Sequence, residues 1–355
     1  MIRILVVEDS KTVQRALVAA FDADPGIRVV GTADSGEEAV HAAASLRPDL
    51  ITMDINLPGM DGFQATRAIM SNCPTPIVIV TGKMDPKDSD TLFRVMQAGA
   101  LMVLAKPAPV GTPEHAASVA RLVHNLKLMS EIKVVRRSFS DNVAGHLPPA
   151  QLAVPAGPPL RVVAIGASAG GPPLLQQILS SLPADFGAAL LVVQHMADGF
   201  TENFVAWLNQ TSRLPVLLAE SGMPVVPGRV LVAPDGFHLE IGPGDRVALS
   251  CAAPDNGLRP SVAALFRSLA QRCGRLGAGV LLTGMGNDGA CELKLVRDAG
   301  GVTIVQNRES SVVFGMPGEA IRLDAASYIL PPEGIIELLI RLTAAPCEPG
   351  PAPIT

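Results

Sequence analysis

Short apolar runs alternate with helix-length stretches along most of the chain, and this alternation predicts the elements of the fold. Strands separated by helices in this way are typical of a doubly wound parallel sheet. In the first third of the chain, strands are predicted at Ile2–Val7, Arg28–Gly31, Leu50–Met53, Ile77–Val80 and Leu101–Leu104. After an interruption the predicted strands are Val162–Ile165, Ala189–Val193, Val216–Ala219, Arg229–Val232, His238–Ile241, Arg246–Leu249, Gly279–Leu282, Val302–Val305 and Tyr328–Leu330. The pattern therefore predicts an α/β protein with two doubly wound parallel-sheet domains.

The interruption between the two alternating regions has the composition of a linker. Proline and glycine become dense there, as in the stretch Val154–Pro159, and such segments connect domains rather than build a core. We therefore predict a first domain over residues 1–125, a linker over 126–159, a second domain over 160–345 and a disordered, proline-rich tail over 346–355. A length of 355 residues agrees with two domains.

Composition narrows the class of protein. Apolar residues make up 48% of the chain and aromatic residues only 3%, so aliphatic side chains must build the cores. A net charge of -5 provides no basic surface for nucleic acid. The five cysteines are scattered without C-x-x-C spacing, which argues against disulfides or zinc and favours a reducing compartment. No uncharged run reaches the roughly 20 residues that span a bilayer, so we expect a cytoplasmic protein without direct membrane insertion.

Charged and hydroxyl residues follow the strands of the first domain. Glu8 and Asp9 come after the first strand, Asp54 after the third, Thr81 after the fourth and Lys106 after the fifth. Each alone has an ordinary explanation as a turn or cap residue, but carboxyl ends of parallel strands face one crevice. Carboxylates gathered there favour a hard cation such as Mg²⁺, and a lysine with a hydroxyl completes a cradle for a phosphoryl group.

With the stretch Met53–Gly62, these residues give the first domain its resemblance to the receiver domain of two-component response regulators. The resemblance implies a flavodoxin-like fold in which Asp54 accepts a phosphoryl group from a histidine kinase. It also implies that Asp9, Asp54 and the carbonyl of Asn56 hold Mg²⁺, with Glu8 acting through water, and that Thr81 and Lys106 sense the phosphorylated state. One departure is Val103, which stands where many receivers have an aromatic residue.

In the second domain, an apolar strand runs into Gly166-Ala-Ser-Ala-Gly-Gly171 and then a proline-led helix. A glycine-rich turn between strand and helix can lift one hydroxyl, that of Ser168, off the end of a sheet, as a nucleophile elbow does. Amides at the helix start would stabilise an oxyanion there. The alternative is a phosphate-binding turn of a dinucleotide-binding fold, which calls for an acidic residue on the next strand.

A nucleophilic serine needs a base and an orienting acid. His195 directly follows the strand Ala189–Val193 and Gln194, whereas His238 lies in a turn and is the weaker candidate base. Asp288 lies in a glycine-rich turn after another buried strand. The ordinary alternatives are a hydrogen-bonded core histidine for His195 and an N-cap of the following helix for Asp288. All three candidates follow strands, so their side chains can meet at one edge of the sheet.

Residues 161–342 resemble the catalytic domain of chemotaxis protein-glutamate methylesterases. The matching stretches are Gly166–Gly171, Val193–Met196, Arg259–Val262, Leu282–Gly289 and Val313–Pro317, and receiver–linker–esterase is the domain order of that family. The departures are Ala169, where the family usually has threonine, and Ala263, where it often has aspartate.

This second resemblance implies a Rossmann-like esterase domain with Ser168, His195 and Asp288 as triad and the Met285 amide in the oxyanion hole. It implies phosphorylation-regulated hydrolysis of glutamate γ-methyl esters on chemoreceptor cytoplasmic domains, with glutamine deamidation as a second activity and no cofactor for the ester reaction. Two alternatives remain: a phosphorylation-controlled receptor-binding adaptor without catalysis, and a dinucleotide-binding regulator.

Overall fold

The computed structural model describes residues 1–82, 94–132, 134 and 157–344. The chain folds into two compact units, one around each of two parallel sheets. The predicted domain boundaries stay a prediction, because residues 135–156 of the predicted linker and the whole predicted tail lie outside the described residues.

The N-terminal sheet has five strands in the order β2-β1-β3-β4-β5, and all neighbouring pairs are parallel. The sheet order is that of the flavodoxin-like fold. All five predicted strands are present, with ends that differ from the predicted ones by at most two residues. Their bounds are β1 (Ile2–Val7), β2 (Ile27–Ala33), β3 (Leu50–Met53), β4 (Ile77–Thr81) and β5 (Met102–Ala105).

Helices follow these strands, and polar caps help to fix where they begin. The labelled helices are α1 (Lys11–Asp22), α2 (Gly36–Leu46), α3 (Gly62–Asn72) and α4 (His115–Ser130). The Asp61 side chain accepts a hydrogen bond from the Gln64 amide at the start of α3, and Ser35 accepts one from the Glu38 amide at the start of α2. Such caps satisfy amide donors that have no partner inside the helix. The last helix runs to Ser130, five residues beyond the predicted end of the domain.

The C-terminal sheet has seven parallel strands in the order β14-β13-β12-β6-β7-β9-β8, and β10 and β11 form a separate antiparallel hairpin. All nine predicted strands of this region are present, again with small differences at their ends. Their bounds are β6 (Val162–Ala167), β7 (Ala189–Gln194), β8 (Val216–Leu218), β9 (Val230–Val232), β10 (His238–Gly242), β11 (Arg246–Ser250), β12 (Gly277–Leu281), β13 (Val302–Gln306) and β14 (Tyr328–Leu330).

Six labelled α-helices accompany these strands. They are α5 (Gly171–Ser181), α6 (Thr201–Asn209), α7 (Val262–Arg272), α8 (Ala290–Asp298), α9 (Met316–Arg322) and α10 (Pro332–Thr343). The central strands β6, β7 and β12 are buried at every residue, which explains why Gln194 is their single polar residue, because a parallel sheet covered on both faces has no polar side. Among the described residues, no helix has both the length and the apolar character needed to cross a bilayer.

Candidate active site and candidate phosphorylation site

The candidate nucleophile lies in a tight turn between β6 and α5. Ser168 directly follows β6 and is buried, with 5% of its surface exposed, and its carbonyl accepts a hydrogen bond of 2.8 Å from the Gly171 amide. Gly170 has a φ of +77°, so this turn uses a backbone conformation that favours glycine. Gly166 has a different role. A Cβ at that position would lie 2.4 Å from Cγ1 of Val262, so its glycine provides room for α7.

The candidate base follows the neighbouring strand at the same edge of the sheet. Ala167 of β6 is in register with Gln194 of β7, and the His195 amide donates a hydrogen bond of 2.9 Å to the Ala167 carbonyl. Ser168 therefore follows directly after Ala167, and His195 follows directly after its paired residue Gln194 on the adjacent strand. The predicted convergence of these two residues follows from strand register.

The candidate acid contacts the candidate base. Nε2 of His195 lies 2.9 Å from Oδ2 of Asp288, and both side chains are almost fully buried. The contact is a close approach rather than an aligned hydrogen bond, because the N–H direction at Nε2 does not point along it. With Nε2 on the side of the carboxylate, Nδ1 is the nitrogen that can receive a proton from a serine.

Asp288 does not cap the helix that follows it, which was the ordinary alternative. Gly289, with a φ of +78°, stands at that N-cap position and no side chain caps it. The carboxylate instead accepts hydrogen bonds from the first two amides of α7, at 2.7 Å from Val262 and 3.0 Å from Ala263. Negative charge is stabilised at a helix N-terminus, so α7 provides a favourable site for the charged acid.

Val262 holds these turns together through packing. Its Cγ1 occupies the space that a Cβ would need at Gly166, before the nucleophile, and at Gly289, after the acid, with 2.4 Å in each case. Val262 is fully buried. In the sequence, the stretch Arg259–Val262 stands out only by its family resemblance, which does not indicate this packing role.

The candidate oxyanion donor lies in the 282–286 loop, which follows β12. Leu282 donates its amide to the Gly166 carbonyl at 2.9 Å, so the loop begins beside the end of β6. Gly286 has a φ of +77°. None of the hydrogen bonds found among residues 1–82, 94–132 and 157–344 uses the Met285 amide. The Met285 amide can thus donate a hydrogen bond at this edge of the C-terminal sheet, and its role in the oxyanion hole remains a prediction.

Two buried polar residues fix this loop, and sequence reasoning missed both. The Thr283 amide donates to Oε1 of Gln306 at 2.7 Å, and the Thr283 hydroxyl accepts from the Val313 amide at 2.9 Å. Gly284 then donates its amide to the Val313 carbonyl at 3.0 Å. Gln306 ends the strand β13 and is only 1% exposed. A glutamine at the end of an apolar strand could have indicated a buried hydrogen-bonding role, since buried amides require partners.

His238, the weaker candidate base, is placed elsewhere. It begins β10 and is buried, its Nε2 lies 3.2 Å from the Ala253 carbonyl, and its Nδ1 lies 3.0 Å from the Ser261 hydroxyl. It is thus a hydrogen-bonded core histidine.

The predicted acidic pocket forms at the carboxyl edge of the N-terminal sheet. One carboxylate oxygen from each of Glu8, Asp9 and Asp54 lies within 4.8 Å of the others. The Lys106 ammonium lies 2.6 Å from Oδ2 of Asp54 and 2.7 Å from Oε2 of Glu8. Thr81 ends β4 and accepts the Lys106 amide through its carbonyl at 2.8 Å. These five predicted residues are therefore brought together in one place.

Asn56, the remaining predicted ligand, lies two residues after Asp54 and is exposed. Within the described part of the chain, no contact of its carbonyl tests a metal-binding role, which stays a prediction. Val103, the departure from the aromatic pattern, is buried in β5 with 7% exposed.

The charges of the pocket fit a divalent cation. Burial raises the pKa of Glu8, with the nearby Asp54 charge adding to the effect. Burial alone would lower the pKa of Lys106, but its hydrogen bonds with Asp54 and Glu8 outweigh this and raise it. Three carboxylates against one ammonium leave an excess of two negative charges when all are ionised. Hard oxygen donors with such an excess are the ligand set that Mg²⁺ prefers.

Comparison with known families agrees with this geometry. Residues 163–339 match the family model described as CheB methylesterase, and residues 4–115 match the response regulator receiver domain. A protein-glutamate methylesterase/protein-glutamine glutaminase of Geobacter metallireducens is 50% identical over 345 residues, covering 96% of this chain and 99% of the relative. A relative of the same name from Syntrophus aciditrophicus is 48% identical over 348 residues, covering 97% of this chain and 99% of the relative.

A solved structure supports the same assignment for the second region. The crystal structure of the Thermotoga maritima CheB methylesterase catalytic domain is 40% identical and covers 52% of this chain and 98% of its own, with a TM-score of 0.50. The two sheets, the strand-end residues and the full-length relatives lead to one conclusion. The chain belongs to the protein-glutamate methylesterase/protein-glutamine glutaminase family, and it carries a receiver domain ahead of a CheB methylesterase domain.

Proposed function

We propose that this chain hydrolyses glutamate γ-methyl esters on chemoreceptor cytoplasmic domains and that phosphorylation of its receiver domain regulates the reaction. The contact of 2.9 Å between His195 Nε2 and Asp288 Oδ2, beside the serine of the adjacent strand end, carries the proposal. The names of the full-length relatives support the reaction type and the second activity on glutamine.

In the proposed first step, Ser168 attacks the ester carbonyl while its proton passes to Nδ1 of His195. Asp288 keeps Nε2 protonated and stabilises the imidazolium that forms, as the acid of a triad does. The Met285 amide donates to the developing oxyanion, and one such donor lowers a barrier by about 3–4 kcal/mol. Methanol leaves as His195 returns the proton to its oxygen.

In the second step, water attacks the acyl group on Ser168. His195 takes a proton from the water at the same nitrogen and then returns it to the serine oxygen, which releases the glutamate. A glutamine side chain has the shape of the ester with an amide in its place, so the same steps release ammonia. The esterase reaction in this scheme needs no cofactor.

For the receiver domain, we propose that Asp54 accepts a phosphoryl group from a histidine kinase. Asp9, Asp54 and the Asn56 carbonyl would hold Mg²⁺, with Glu8 beside them, and the ion would neutralise charge during phosphoryl transfer. Lys106 is already placed against Asp54 and would pair with the phosphoryl oxygens, and Thr81 would donate its hydroxyl to them. Substrate and kinase both point to the cytoplasm as the place of action.

Methanol release from a methylated chemoreceptor fragment tests the proposal. The full chain should release methanol, and a small-molecule phosphodonor with Mg²⁺ should increase the rate. Ser168→Ala should abolish the release, whereas Asp54→Ala should retain a basal rate that no longer responds to the phosphodonor. Receptor binding with no methanol release by the unmodified protein would instead support the adaptor without catalysis.

A further inference from the structure

The Asp288 carboxylate accepts its two backbone hydrogen bonds from the start of a helix. Both amides that it accepts belong to the first turn of α7, at Val262 and Ala263. The position of the acid relative to His195 therefore depends on where that turn begins and how its amides point. The residue that fixes this start is Ser261, which is fully buried and stands at the N-cap of α7.

Both the backbone amide and the hydroxyl of Ser261 take part in hydrogen bonds. Its hydroxyl oxygen accepts from the Ala264 amide at 3.2 Å, and its hydroxyl proton goes to Oδ2 of Asp255 at 2.8 Å. Nε2 of His238 donates to the Ala253 carbonyl, which leaves Nδ1 as the acceptor for the Ser261 amide at 3.3 Å. The Ser261 hydroxyl also lies 3.0 Å from Nδ1 of His238, so three polar groups surround its side chain.

Asp255 is itself fixed from a second side. Arg267, which lies further along α7, pairs with Asp255 and also with Glu292 of α8, the helix that begins just after Asp288. Burial alone would raise the pKa of Asp255, but its hydrogen bonds with Arg267 and Ser261 lower it. The acceptor of the serine proton is thus a carboxylate held by a guanidinium, which makes a strong and directional bond.

We propose that Ser261 is a positioning residue of the esterase reaction, which sets the first turn of α7 and through its amides the orientation of Asp288 towards His195. The proposal rests on the proposed function, since it assigns Asp288 as the acid of that reaction. In this proposal the Ser261 hydroxyl acts on Asp288 only through the first turn of α7, so the residue does not touch the substrate.

The test compares Ser261→Ala with Ser268→Ala in the full chain. Ser268 is a matched control, because it is a buried serine of the same helix whose hydroxyl accepts from the Ile241 amide and donates to the Leu265 carbonyl, and neither bond involves the Val262 or Ala263 amide. With a methylated receptor fragment as substrate, Ser261→Ala should lower kcat about tenfold with KM within about twofold. Ser268→Ala should leave kcat within about twofold of the unmodified protein.

A second readout does not depend on catalysis. The ¹⁵N shifts of the His195 ring report which nitrogen carries the proton and how closely Asp288 approaches Nε2, and they should change in Ser261→Ala and stay unchanged in Ser268→Ala. If Ser261→Ala does not fold, Asp255→Asn takes its place, with an expected loss of about threefold in kcat and the same direction of change in the ring shifts.

Unchanged kcat and ring shifts in the Ser261 variant would overturn the proposal, as would an equal loss in both serine variants. If the unmodified protein releases no methanol, the proposed function fails. The ring shifts still decide whether Ser261 orients the acid.

Discussion

Replacing Asp288 by asparagine tests the central geometry of the site, because it changes one atom while keeping the shape. Oδ1 accepts from the Ala263 amide, and Oδ2 accepts from the Val262 amide and lies 2.9 Å from Nε2 of His195. Every contact of the carboxylate is thus with a donor. An asparagine must turn its NH₂ group towards one of them, so Asp288→Asn places a donor against a donor in either orientation.

The expected cost follows from these contacts. A hydrogen bond to a charged acceptor contributes about 1.5–3 kcal/mol, and a buried donor left without a partner costs about 1–3 kcal/mol. We therefore expect the free energy of unfolding to fall by at least about 2 kcal/mol. If the NH₂ group faces His195, the imidazole must adopt the other tautomer, a change that lowers kcat about 10⁴-fold in serine proteases.

Urea unfolding of the full chain, followed by the fluorescence of Trp207, measures the first effect, since Trp207 is buried in α6 and is the single tryptophan of the sequence. Methanol release measures the second. Asp298→Asn serves as the control, because Asp298 lies on the next helix and is largely exposed, and its variant should change stability by less than about 0.5 kcal/mol. Wild-type stability in Asp288→Asn would refute the assignment of the α7 amides as partners of the acid.

Three further predictions follow from the C-terminal region. Gly166→Ala should lower the free energy of unfolding by about 1–3 kcal/mol in urea titrations, because its new methyl meets Val262, and adding Val262→Ala should cost less than the sum of the two single changes. Gln306→Ala should lower kcat about tenfold at similar KM in the methanol assay. The change removes the hydrogen bond to the Thr283 amide and so loosens the loop that carries the candidate oxyanion amide. A change in KM alone would contradict this. Burial raises the pKa of the Cys273 thiol to about 11, so iodoacetamide should modify it far more slowly at pH 9 than the exposed Cys251, and the Cys273 rate should keep rising as the pH approaches 11; equal rates at pH 9 in the folded protein would contradict this.

The alternation of apolar runs was enough to predict both sheets, and the family matches confirm that fold class. The ends of strands were harder to predict, as β6 illustrates. The apolar run suggested an end at Ile165, but pairing with β7 continues through Gly166 and Ala167. These two residues have little intrinsic preference for strands, so their conformation depends on neighbours that are distant in sequence.

The candidate site was predictable where it depends on strand ends and unpredictable where it depends on packing. Register alone brings Ser168 beside His195, because both follow paired residues of neighbouring parallel strands. The partners of Asp288 could not be inferred, since the amides of Val262 and Ala263 lie about 25 positions earlier in the chain. They meet the acid only because α7 packs closely against glycine positions, a contact that no local pattern in the sequence indicates.

The strands that carry the candidate triad and oxyanion loop are β12, β6 and β7, which lie side by side inside the seven-stranded sheet. Each has a paired strand on both sides, whereas the outer strands β14 and β8 contain three residues each. Local opening begins where few bonds must break, so hydrogen–deuterium exchange should be fast at both margins of the sheet and slowest in its middle. Opening of the outer strands would then leave the reacting groups in place. The enzyme can therefore tolerate local unfolding at the edges of the sheet while the candidate triad keeps its geometry.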